Sequence, residues 1–148
     1  MPKTERFSEN VPFDASGEMS FFNEEFLTIT INKKEQWLHS AWKGYQTEAS
    51  IMAGFEKILE ALQTFGLKKV LNNNTGLLGI WTPAASWVGT NWLPRMHAAG
   101  LQHLAWVYSS SRLSQVSTNE CISTTPLPHL IHTFNNLEEA TAWLQSAV

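Results

Sequence analysis

The chain has a single cysteine, Cys121, in 148 residues. No internal disulfide can form, and that usage suits a reducing cytoplasm. Positive charge is scarce too: 10 Lys and Arg stand against 13 Asp and Glu, for a net charge of −3. Without a basic run, a nucleic-acid role lacks its electrostatic footprint. No apolar stretch reaches the ~20 residues that a bilayer crossing takes, and Met1 to Asn10 has no apolar core of signal-peptide length. Gly76 and Gly79 lack the lysine and spacing of a phosphate-cradling loop. The expectation from these absences is a cytoplasmic protein with no transmembrane segment and no nucleic-acid partner.

What is present points to a packed interior. A chain of this length is one domain's worth and buries about two-thirds of its unfolded surface. Hydrophobic residues make up 43% and charged residues 16%. Between Val70 and Ser111 the only Lys, Arg, Asp or Glu is Arg95, yet four of the seven tryptophans lie there: Trp81, Trp87, Trp92 and Trp106. So uncharged a segment reads as the centre of a sheet with its covering helix.

Taken in order, residues 1–20 are polar and mixed and read as a loose N-terminal arm, leaving 21–148 as the domain. Leu27, Ile29 and Ile31 alternate with Thr28, Thr30 and Asn32, the pattern of a half-buried strand. After a polar turn, Gln36 to Lys43 returns as a second strand carrying a tryptophan on each face, Trp37 and Trp42. Thr47 is placed to cap a helix whose stripe is Ile51, Phe55, Ile58, Leu62 and Phe65, ended by Gly66. A short strand, Lys68 to Asn72, should give way to a turn at Asn72-Asn73-Asn74-Thr75-Gly76.

Thr82-Pro83 then opens a helix with Ala85, Val88, Trp92, Met96 and Ala99 on one stripe. Trp87 falls almost opposite, beside Asn91, and Pro94 should kink the helix. His103 to Tyr108 reads as a strand, Arg112 to Thr118 as a short helix, and Cys121 to Pro128 as a loop. Leu130 to Phe134 is a last strand, and Asn136 with Glu139 resembles a capping box before a closing helix. The expected order is β-β-α-β-α-β-(α)-β-α. That makes an α/β protein, bordering on α+β, with a mixed sheet of about five strands and helices mainly on one face.

This order resembles the SpoIIAA-like group of STAS/SEC14-like domains. The residues that carry the likeness are Trp42 to Gly44, Lys68 to Asn74, Asn91 to Val107 and Thr133 to Leu144, within a span of about Phe22 to Val148. The resemblance implies a regulatory or protein-interaction module, or a relative that holds an apolar ligand or lipid. In the regulators a serine at a helix N-terminus is phosphorylated within an Asp-Ser-Ser-Gly-like motif. Here Ile80 to Ala84 stands at that place without the motif. Thr82 is the nearest residue, and the phospho-switch is not carried over.

Two sets of residues are candidates for function. Asn72, Asn73, Asn74 and Thr82 lie where α/β ligand sites often form, beyond a strand's C-terminal end and at a helix start. The other reading of that stretch is a well-capped turn. Trp87 and Asn91, with Trp42 and Trp81, are candidates for an interface or a pocket wall, since large aromatics outside the core are enriched at contact surfaces. The partner would be a second copy, another protein or a small apolar molecule. Nothing places Cys121 beside one of the five histidines, and His129 and His132, three apart, point to opposite faces. No enzyme activity, cofactor or metal is expected.

Overall fold

The computed structural model describes residues 13–148. Residues 1–12, most of the expected arm, lie outside that range. Six strands form one mixed sheet: β1 (Glu18–Asn23), β2 (Leu27–Asn32), β3 (Trp37–Tyr45), β4 (Lys69–Leu78), β5 (His103–Val107) and β6 (Ile131–Phe134). Their order in space is their order in sequence. The first three pair antiparallel, and β3 to β6 pair parallel. The α/β class and the mixed sheet are as expected.

The helices are α1 (Glu48–Phe65), α2 (Thr82–Trp87), α3 (Leu93–Ala98), α4 (Arg112–Thr124) and α5 (Leu137–Ser146). Parallel neighbours joined in sequence need crossovers of one hand, which places their helices on one face. Accordingly α1, α2, α3 and α4 all contribute to the larger core, with Ile58, Ala85, Met96 and Cys121 over Leu27, Trp42, Val70 and Trp106. Helix α5 follows the last strand and is not a crossover. It packs Ala140 and Leu144 on the opposite face, against Trp37, Leu71, Ala105 and Val107. The two tryptophans of β3 are thus both buried, one in each core.

Four features correct the reading of the sequence. Strand β1 starts at Glu18, inside the expected arm; its alternation is hidden by a bulge between Ser20 and Phe22, which turns both Phe21 and Phe22 toward the larger core. Strand β4 does not stop at Asn72 but runs through the asparagines to Leu78. Cys121 lies in α4, not in a loop.

The fourth concerns the helix expected to kink at Pro94. Just before the proline it widens into a π-turn over Val88–Trp92, where the Leu93 N–H bonds to the Val88 carbonyl five residues back. The proline nitrogen has no proton for the regular ladder, and the wider turn absorbs that loss. Gly89 sits in this turn, and a Cβ there would lie 2.6 Å from the Cys121 carbonyl. The turn is therefore where α4 crosses in backbone contact.

Candidate functional site

Strand alternation decides where the three asparagines go. Asn72 and Asn74 face the larger core and are buried, while Asn73 faces the other side. The Asn72 Oδ1 accepts from Ser40 Oγ at 2.7 Å and from Trp42 Nε1 at 2.9 Å, and its Nδ2 donates to Asn74 Oδ1 at 3.2 Å. Amide side chains that favour turns in isolation are held in a strand here because each finds a partner across or along it.

On the outer face Asn73 Nδ2 lies 3.3 Å from His39 Nε2, and Asn73 Oδ1 accepts from the Thr75 N–H and Oγ1. Burial lowers the His39 pKa below the usual histidine range, against a smaller upward pull from Glu18. The imidazole is neutral at pH 7.

Thr82 is the first residue of α2 rather than its cap, and Trp81 holds the cap position with no side-chain cap. The seam with α4 takes up these polar groups instead. Ser117 Oγ accepts the Trp81 N–H at 2.8 Å and lies 3.0 Å from Thr82 Oγ1, while Ser114 Oγ donates to the Gly79 carbonyl. The candidate residues are therefore not gathered in one place. Asn72 and Asn74 are interior, Asn73 is on the outer face, and Thr82 is in the α2–α4 seam.

The aromatic candidates fill the space beneath the helices. Phe55 stands 4.9 Å from Trp42 and 4.5 Å from Trp92, ring centre to ring centre. Trp81 stacks on Trp106 at 6.0 Å with the rings 10° from parallel. Trp92 Nε1 donates to the Phe55 carbonyl at 2.7 Å. The indole N–H groups of Trp81 and Trp106 find no partner among the described residues. Trp87 is half-buried, with the Arg95 guanidinium 5.7 Å from its ring centre. Arg95 also bonds Asn91 Oδ1 at 3.0 Å and pairs with Glu56, so this face is closed by charge.

Cys121 is buried, and desolvation pushes its thiol up to about 12. The thiolate that nucleophilic chemistry needs is absent near neutrality. Among the described residues no three His, Cys, Asp or Glu side chains gather as metal ligands.

Sequence reasoning missed a surface at the C-terminal end of the sheet. Tyr45 (80% exposed), Leu78 (42%), Ile80 (51%), Leu113 (54%) and Val116 (55%) are large apolar side chains left in solvent. Tyr45 pairs with Leu78 across β3 and β4, and its ring lies against Gly79, where a Cβ would meet it at 2.7 Å. Ser114 and Ser117 tie the Gly79–Trp81 backbone, which includes Ile80, to α4, the helix that carries Leu113 and Val116. The signal in the sequence was the i, i+3 spacing of Leu113 and Val116 on an otherwise polar helix. Comparison with protein-family models and with curated proteins returns no match.

Proposed function

We propose that the chain is a non-enzymatic regulatory or protein-interaction module of STAS/SpoIIAA-like type that acts in the cytoplasm. The observation that carries this reading is the exposure of Tyr45, Leu78, Ile80, Leu113 and Val116 on segments that are paired or hydrogen-bonded to one another at this end of the sheet. Apolar side chains gathered in solvent mark contact surfaces, whereas scattered ones need no explanation. The burial of Cys121 supports the same reading, since it removes the one nucleophile the sequence offered to a histidine base. Among the described residues no helix is long and apolar enough to cross a membrane.

Photo-crosslinking in cells from a probe at position 80 tests the reading, with Leu113→Asp and Trp87→Ala introduced separately. A crosslinked species lost with Leu113→Asp is the expected result. A species equally abundant in both variants, or a turnover abolished by Cys121→Ala, would count decisively against it.

A SEC14-like apolar ligand is the second reading, favoured by the two unpartnered indole N–H groups of Trp81 and Trp106. Solvent extraction of protein purified from cells checks it: a stoichiometric hydrophobic molecule supports the ligand, and consistently empty protein removes it.

A further inference from the structure

Helix α4 is built inside out. Its buried side is Ser114, Ser117, Thr118 and Cys121, while Leu113 and Val116 stand more than half exposed. A surface helix normally turns its apolar stripe to the core and its polar residues to water. The inward serines are explained within the chain, since they bond the Gly79 carbonyl and the Trp81 N–H. The outward Leu113 and Val116 have no such explanation among the described residues.

The charges on that outward face are arranged about one point. Arg112, Val116 and Glu120 follow one another at four-residue steps, a single row on the helix surface. Each charged residue is about 6 Å along the axis from Val116, in opposite directions. Both are exposed, and neither forms an ion pair among the described residues. A row with an apolar centre and opposite charges at equal distances complements itself when turned end for end. An isologous contact has that requirement, with residue i of one copy meeting j of the other and j meeting i.

We infer that α4 is a homodimer interface, packed antiparallel on α4 of a second copy about a two-fold axis at Val116. Arg112 of each copy then lies level with Glu120 of the other, Val116 meets Val116 on the axis, and the two Leu113 side chains flank that contact. Ile80 and Leu78 extend the apolar contact beside the helix pair, and Tyr45 borders it. This inference rests on the interaction reading above and names its partner. The two fail separately: a monomeric chain ends the homodimer and leaves a different protein as partner, which the crosslinking experiment reads.

The test is sedimentation equilibrium on the full chain at roughly 100 µM, where contacts at the small end of the interface range are populated. Wild type, Arg112→Glu, Glu120→Arg and a mixture of the two variants are compared. All the changed side chains are exposed, and circular dichroism checks that each variant is folded. The wild type should be a dimer. Each variant alone sets like charges opposite one another twice and should dissociate at least about tenfold more readily. Mixed, the two variants should form a heterodimer of near wild-type strength. The two carboxylates of one copy, at positions 112 and 120, then meet the two guanidinium groups of the other. A monomeric wild type overturns the inference. So does a dimer unaffected by either variant, including one broken only by Trp87→Ala. Variants that stay dissociated when mixed overturn it as well.

Discussion

At the scale of single residues, Asn72 shows how a polar side chain becomes structural. Its carbonyl oxygen holds two buried donors, Ser40 Oγ and Trp42 Nε1. Asn72→Leu leaves both without a partner, at roughly 1–3 kcal/mol for each orphaned donor. Asn73→Leu on the outer face should cost less than about 1 kcal/mol. Urea midpoints followed by tryptophan emission measure both, and equal costs would refute the alternation. Composition alone read all three asparagines as a turn. Their real state depends on Ser40 and Trp42, some thirty positions earlier, and no local pattern carries that information.

His39 gives a pH dependence of known sign. Its folded pKa lies below the ordinary 6.5, because burial disfavours the imidazolium. The unfolded chain therefore binds the proton more readily, and stability rises with pH where that proton is exchanged. The contribution is complete above the unfolded value and is lost as pH falls through the folded one. Denaturant midpoints taken from pH 7.5 down to pH 5 should decline, and His39→Gln should flatten the decline. An unchanged slope in the variant would assign the effect elsewhere.

Among the elements, α1 and α5 were the most legible. Thr47 and Asn136 both cap as expected, each accepting the N–H three residues on, and the apolar stripe of α1 is the one that is buried. Legibility failed where a contact with another element decides the outcome. The close approach of α4 to the π-turn is permitted by Gly89, and the inward side of α4 is set by serines that reach the backbone between β4 and α2. Two glycines test this. Gly54, in the middle of α1, lies against the Trp42 indole, where a Cβ would come within 2.3 Å, and Gly89 faces the Cys121 carbonyl at 2.6 Å. Gly→Ala within a helix normally stabilises by about 1 kcal/mol. At both positions overpacking should reverse the sign, with a net loss of about 1–3 kcal/mol in thermal or denaturant unfolding. A gain at either would mean that the packing gives way.

For the whole molecule, the sequence predicted the alternation of strands and helices well, because each crossover helix has a face for one side of the sheet. The second core was not legible, since Trp37 and Trp42 alternate in one strand and periodicity cannot rank them. That second core is small: α5 rests on Trp37, Leu71, Ala105 and Val107 through Ala140 and Leu144. Partial opening should therefore begin there. Amide hydrogen exchange should release α5 well before α1, and Leu144→Ala should widen the gap. Simultaneous exchange of both helices would show that the two cores open as one.

The sequential strand order has a consequence for synthesis. Each strand lies beside the one made before it, so no strand waits for a partner that the ribosome has yet to deliver. The sheet can lengthen outward from β1 as the chain emerges, always presenting the edge that the next strand needs. Helix α1 folds back on β2 and β3 already laid down, and α5 later does the same on the opposite side, where its arrival covers the second face.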